Sequence, residues 1–382
     1  MHVRRSVLAI ALTTTMLAPA AAPAQTKTSL SQEGFGKVQK RRIASLASVY
    51  RPVGIAGVLR HLDRRLRPDL AIDPCRRGGE KPVSYPLAGV AASSFYRFEC
   101  TDDRTTEWTP QGLTGADQAT IGRARGRPAV QAVSWYRGKS GAETDVRVTI
   151  VNRATGRYRH VLLVVPGSRG RFGRVPIHAG GIAWVGKYLY VADTGNGLRV
   201  FDTSATMAVP KRKRRLTRGA GYIMPQLGTY AKEPGNDLTY SSASYAAGAR
   251  PSLGYPLPPR LVVGEYRGAG AGAGRAAAYA LDGDLPQGTR PYGSPMEGFP
   301  EMQGVLLLGA DDALVGSTSD GTRGKGGATL YVRGGNGSVR TYPWGLHPED
   351  LYFQSSTREI WSLTEFPRQR LVFAARASSF GL

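Results

Sequence analysis

The sequence predicts an all-β fold: a five-bladed β-propeller, with six blades as the alternative, behind a short N-terminal helical segment. Two observations carry this. From about Ser93 onward, short apolar or alternating runs are separated by Gly, Asn and Asp residues, which is the spacing of strands and hairpins. Five phrases also recur with a polar side chain beside Gly or Pro at the mouth of an apolar run: Thr109-Pro-Gln-Gly-Leu, His178-Ala-Gly-Gly-Ile, Met224-Pro-Gln-Leu-Gly, Glu301-Met-Gln-Gly-Val and His347-Pro-Glu-Asp-Leu. Their polar heads, taken at Gln111, His178, Gln226, Gln303 and Glu349, lie roughly 45 to 80 residues apart. A four-stranded repeat at the short end of that range is the rhythm of a radial β array. The longer intervals require insertions, and the Gly/Ala run from Gly268 to Gly274 supplies one as a flexible loop.

The elements follow in order. Arg4 and Arg5, the apolar run from Val7 to Leu17 and the small residues Ala22-Pro-Ala24 read as an export signal over 1–24, an ordinary secretory one ahead of a twin-arginine one. A secreted, extracellular protein with no transmembrane segment is expected. Gln25 to about Gly34 is polar and reads as disordered. From Lys37 to Leu70 apolar residues recur at helical steps, Ile43, Leu46 and Val49 and then Ile55, Val58, Leu62 and Leu66. Pro52 and Gly54 should break this stretch into two short helices that brace the β domain. Residues 25–92 are therefore read as linker and brace, and 93–382 as the propeller. The last blade offers only three strands, so Ser93 to Cys100 is expected to close it as the fourth.

Charge and cysteines bound the function. The formal charge is +23, with arginine dominating an Arg-, Ala- and Gly-rich composition. The basic residues are scattered and no nucleic-acid module is legible, so non-specific contact with an anionic cell envelope is expected ahead of specific nucleic-acid binding. Lys211-Arg-Lys-Arg-Arg215 reads as a solvated loop. In an exported chain, Cys75 and Cys100 read as one disulfide closing a loop of about 26 residues. Nothing in the pattern calls for more than a monomer.

The phrase Lys187-Tyr-Leu-Tyr-Val-Ala-Asp-Thr-Gly-Asn-Gly-Leu-Arg-Val-Phe-Asp202 resembles an NHL-repeat strand pair. The whole is distantly similar to secreted actinobacterial propellers of the NHL and regucalcin/gluconolactonase-like kinds. The NHL resemblance implies a binding platform. The regucalcin-like one implies a calcium-dependent lactone hydrolase with channel carboxylates, from which this chain departs by having Gln at three of its five heads.

The site expectation is therefore a binding protein that recognises a small polar ligand, a glycan or a protein at the channel face, through Gln111, His178, Gln226, Gln303 and Glu349. The alternative is a hydrolase, lactonase-like with calcium or glycosidase-like, with His178, Glu349 and Asp350 as catalytic candidates. His178 and His347 are read as equivalent positions of two blades. Trp108 and Trp344 are read as packing residues with sugar stacking as a second role. No tight metal-ligand spacing, serine elbow or phosphate loop is present.

Overall fold

The computed structural model describes residues 28–68, 75–81, 83, 87–117, 129–250, 256–319 and 327–382. The expected export signal over 1–24 lies outside the described residues. No described helix is long and apolar enough to cross a membrane.

The N-terminal segment is stitched to the β domain. Strand β1 (Leu30–Glu33) pairs antiparallel with residues 229–232, and Leu30 is fully buried. The expected disorder up to Gly34 is therefore corrected: one apolar side chain and a free sheet edge are enough to order this stretch. Helix α1 (Lys37–Ala47) buries Leu46 and Gln39, whose amide donates to the Gln226 carbonyl at 2.7 Å. The helical pattern breaks at Pro52, as expected, and Gly54 takes the left-handed region with φ +60° at the start of α2 (Gly54–Leu59). Arg51–Pro52 pairs with Met207–Ala208, and Arg64–Arg65 with residues 157–158. After β2 (Ser94–Arg97) comes α3 (Cys100–Arg104), tied to the preceding segment by the Cys75–Cys100 disulfide.

Among the described residues, twenty strands form five four-stranded antiparallel arrays, the first two of which are joined into one sheet by a parallel pairing of residues 223–225 with 162–164. The first holds β3 (Trp108–Gly115), β4 (Val130–Lys139), β5 (Ala142–Asn152) and β6 (Arg157–Pro166). The second holds β7 (Ile182–Val185), β8 (Tyr188–Asp193), β9 (Gly197–Asp202) and β10 (Tyr222–Lys232). The third holds β11 (Ser242–Ala246), β12 (Arg260–Gly264), β13 (Ala273–Asp282) and β14 (Met296–Pro300). The fourth holds β15 (Met302–Leu308), β16 (Ala313–Thr318), β17 (Ala328–Arg333) and β18 (Val339–Trp344). The fifth holds β19 (Pro348–Gln354), β20 (Glu359–Thr364) and β21 (Leu371–Arg376), completed by β2 from the N-terminal side. The first strands β3, β7, β11, β15 and β19 neighbour one another in a closed ring. The fold is a β-propeller.

The ring is tight because small residues face the axis. A Cβ on Gly304 would meet the Leu351 amide nitrogen at 2.6 Å, and one on Gly112 would meet the Ile182 nitrogen at 2.9 Å. Gly181 presses on the backbone of Ser242 and Ala243, and its N–H donates to the Ser241 carbonyl at 2.7 Å. This is what the glycines of the recurring phrases do. Further out, Trp135, Trp184, Trp344 and Trp361 are fully buried in the apolar cores. Burial of that size, at roughly 25 cal/mol per Å² of apolar surface, is the main favourable term holding the arrays together.

Candidate functional site

A cavity of about 620 Å³ opens at the head face, lined by side chains from every array. Gln111 of β3, Tyr136 of β4 and Glu143 of β5 come from the first; His178 and Asp193 flank the second. Ser241 and Tyr266 belong to the third, Gln303 to the fourth, and Glu349 and Glu365 to the fifth.

Two linked pairs organise this surface. The Gln111 amide donates to Glu365 Oε2 at 2.9 Å and to its neighbour's carbonyl, Pro110 O, at 3.0 Å. His178 Nδ1 lies 2.9 Å from Glu143 Oε1, and its ring stacks on Tyr136 at 4.5 Å between centroids. Partial burial works against ionisation of Glu143, but the His178 contact and backbone N–H groups outweigh it and hold the carboxyl below its usual range. Glu349 is the opposite case. Burial, with the Glu365 and Asp350 carboxyls nearby, pushes it well above the usual range. Burial also raises Glu365, against the Gln111 hydrogen bond and the more distant His178 and Arg370. The cavity therefore carries two carboxyls that keep a proton to higher pH than exposed ones, and so can donate hydrogen bonds as well as accept them.

Four of the five expected heads, Gln111, His178, Gln303 and Glu349, meet in this cavity, and Gln226 does not. Gln226 sits on β10, the outer strand of the second array, where its amide bonds Thr229 at 3.0 Å and its oxygen accepts from Arg199 at 3.2 Å. The placement is corrected for a physical reason. A Gln beside a Pro and near a Gly also suits a long strand covered on its outer edge by β1 and α1. The true first strand of the third array starts at Ser242, after Ser241, where the closeness of Gly180 and Gly181 leaves room only for small residues.

Asp350 is also reassigned. It is fully buried beneath the cavity, and its Oδ2 accepts the backbone N–H groups of Ile182 at 2.8 Å and Leu113 at 3.2 Å. Burial raises its carboxyl well above the usual range, and backbone N–H groups from several first strands act against that rise. This is a staple across the axis; the other oxygen, Oδ1, has no hydrogen-bond partner among the described residues, and burial keeps the carboxyl away from substrate. His178 and His347 are not equivalent. His347 occupies the left-handed turn (φ 47°) two residues before Glu349, as Glu301 does before Gln303 (φ 46°) and Ala179 before Gly181 (φ 56°). The His347 ring packs on Phe366 at 4.2 Å, away from His178. Trp344 is fully buried against Phe373 and Phe380, and Trp108 lies under the Arg147 guanidinium, so neither is an open stacking platform.

Sequence reasoning missed Glu365, Glu143, Tyr136, Tyr266 and Ser241. Tyr136 comes from a second strand, Glu143 from a third, and the others from strand ends and loops, which carry no recurring phrase. The one available signal was Thr364-Glu365-Phe366, an acid ending the apolar strand β20.

Calcium does not fit the acids at the axis. It takes about six to eight oxygen ligands, whereas the groups aimed at Asp350 are N–H donors. Glu143 is engaged by His178 and Asp193 by Arg199 and Asn196. Among the described residues no three His, Cys, Asp or Glu side chains are grouped to hold a metal ion.

Comparison with known proteins gives one family match. The family model for the LVIVD repeat matches residues 178–207, from His178 through β7, β8 and β9. No curated protein matches the chain. Among solved structures it is similar to the GH43_1 enzyme from Xanthomonas citri complexed with xylose, at 12% identity and TM-score 0.38, over 76% of this chain and 90% of that one. A glucose dehydrogenase is similar at 12% identity and TM-score 0.30, over 64% and 78%. Kuenenia stuttgartiensis hydrazine synthase is similar at 12% identity and TM-score 0.27, over 72% and 88%. These likenesses are loose.

Proposed function

We propose that the chain is an exported, five-bladed propeller whose head-face cavity binds a small, polar, hydroxyl-bearing ligand of the glycan type. The observation that carries this reading is the floor formed by Gln111, Gln303, Glu349 and Glu365, which offers amide donors and acceptors beside two proton-retaining carboxyls. Such a floor suits neutral groups that both donate and accept hydrogen bonds. The Tyr136–His178 stack gives one wall a flat face. The reading of export rests on the signal-like N-terminus, and the disulfide is compatible with it.

The test is calorimetric titration of the mature protein with a panel of mono- and oligosaccharides. Saturable binding that weakens in Gln303→Ala and Glu349→Gln supports the reading. No binding across the panel, with both variants folded, overturns it.

A hydrolase reading takes one form, because the Glu349 and Glu365 carboxyls face the same cavity and Glu349 is raised further than Glu365. Glu349 would be the general acid and Glu365 its partner, in place of Asp350. Turnover of activated aryl glycosides that disappears in both Glu→Gln variants would favour it over simple binding.

A further inference from the structure

On the outer side of the first two arrays, where the N-terminal brace crosses β6 and β10, a second cavity of about 170 Å³ is walled by guanidiniums. Arg64, Arg147, Arg159, Arg214 and Arg218 all line it. The carboxylates paired with them are fewer. Asp102 is shared between Arg64 and Arg147, each at 3.0 Å, and Asp63 meets Arg159 at 3.2 Å. Asp145 is shared between Arg218, at 3.5 Å, and Arg174. Arg64 also lies 3.6 Å from Glu99. Four acids thus face six arginines, and Arg214 has none of them.

Two details show that this excess is built into the wall. The side-chain Nη2 atoms of Arg159 and Arg214 flank Gly221, where an added Cβ would meet them at 2.8 and 3.4 Å. Two guanidiniums are therefore brought together around a residue with no side chain, and of the two only Arg159 has a carboxylate, Asp63, among the described residues, which leaves the Arg214 charge to be met by an anion. The Nε atoms of Arg147 and Arg214 are also buried with no hydrogen-bond partner. Arg147 is held between the Trp108 and Trp135 faces at 4.6 and 4.7 Å, which fixes its plane. Burial, only partly offset by Asp102, pushes its guanidinium down to about 10, as expected of a cation short of negative charge. Burial pushes the neighbouring His160 down to about 4, so it adds no charge at neutral pH. A second basic hollow adjoins, sharing Arg159, Arg214 and Gly221 and adding Arg51 and Lys211.

We propose that this cavity is a binding site for a single phosphate group, free or as the terminal group of a small ester. Arginine forks match the tetrahedral, multiply charged oxyanion, and the volume admits a phosphate with a few waters but no large residue. Arg214, which has no carboxylate partner among the described residues, is the recognition residue, with Arg159 and Arg147 completing the cradle. The site is separate from the head-face cavity, so neither reading depends on the other.

The test is calorimetric titration of the mature protein with inorganic phosphate and with glycerol phosphate, at fixed ionic strength against chloride. Arg214→Gln and Lys139→Gln are compared, the latter removing one exposed cation elsewhere. The expected result is saturable one-to-one binding of at least one of the two, weakened about tenfold or more in Arg214→Gln and unchanged in Lys139→Gln. Tighter binding of glycerol phosphate would identify an ester as the ligand, and tighter binding of inorganic phosphate the free ion. Heats no greater than those of chloride, or equal losses in both variants, would overturn the proposal. A melting scan of each variant confirms that it is folded.

Discussion

Asp350 Oδ2 accepts the Ile182 backbone N–H at 2.8 Å, which ties the first strand of the fifth array to that of the second across the propeller axis. The same oxygen accepts Leu113 from the first array. The neighbouring Glu349 instead lines the head-face cavity; both acids sit in the register shift between Pro348 and Leu351, where a bulge re-aims side chains. One acid thus serves the axis and the next the cavity. Asp350→Ala strands buried N–H groups of two other first strands and should lower stability by about 3 kcal/mol. Asp350→Asn keeps one acceptor oxygen and should cost less. Urea midpoints for the two variants check this ordering, and equal midpoints for parent and Asp350→Ala would refute the staple.

The raised Glu349 carboxyl makes stability depend on pH with a definite sign. In the folded chain Glu349 keeps its proton to higher pH than in the unfolded chain, so the folded state binds more protons between the two values. Its unfavourable contribution is absent below the ordinary glutamate range, near about 4.3, and grows as pH rises through the raised folded value. Glu349→Gln removes that titration. The variant should melt with the parent near pH 4 and above it by a few degrees at pH 8. His160, pushed down by burial to about 4, gives the opposite slope between that value and the ordinary histidine range. It is present in both proteins and cancels in their difference. A melting difference that does not widen with pH would contradict the assignment.

Gly304 is a position where one methyl group should be expensive. Its added Cβ would meet the Leu351 nitrogen at 2.6 Å and the Asp350 carbonyl carbon at 2.8 Å, both backbone atoms of the adjoining first strand. Backbone atoms have no rotamer that relieves the clash, so Gly304→Ala should cost about 3 kcal/mol. Gly78 has open space around its Cβ direction, and Gly78→Ala should stay within about 0.5 kcal/mol of the parent. Denaturant titrations of the two variants give the contrast directly.

Particular residues show what could be read in the sequence. The all-β class, the break at Pro52 and the fifth-array pairing of Ser94–Arg97 followed from periodicity, proline chemistry and a missing fourth strand. The heads Gln111, Gln303 and Glu349 were legible because Gly112, Gly304 and Asp350 beside them are constrained by close approach at the axis. Ser241 was not, because the same crowding is met there by small residues that look like a loop. Gln226 imitates a head because the phrase records only local chemistry, whereas its covering by β1 and α1 is a tertiary fact. Glu365 and Tyr136 reach the cavity only through curvature of the arrays, which no one-dimensional period encodes. The clustered arginines were hidden for the same reason: Arg147 and Arg159 meet through the pairing of β5 with β6, and Arg64 and Arg214 join them from separate segments far apart in sequence.

The Cys75–Cys100 bond anchors that brace. Cys100 opens α3, whose Asp102 holds Arg64 and Arg147 and whose Asp103 holds Arg67 and Arg97. On the other side, the Cys75 carbonyl accepts from Arg104 at 2.8 Å, and Arg104 also pairs with Glu80. The bond closes a loop with a sequence separation of 25, which restrains the unfolded chain by about 3 kcal/mol on a chain-entropy estimate. Replacing both cysteines with serine should lower the melting temperature by several degrees. Reductant should lower the parent by a similar amount and leave the double variant unchanged. Because α3 also positions Asp102 beneath the arginine-lined cavity, phosphate affinity should fall in the double variant even at temperatures where it is fully folded. Melting and titration data on the same two proteins separate these effects, and unchanged affinity would show that the ion pairs of Asp102 hold the cavity wall without the bond.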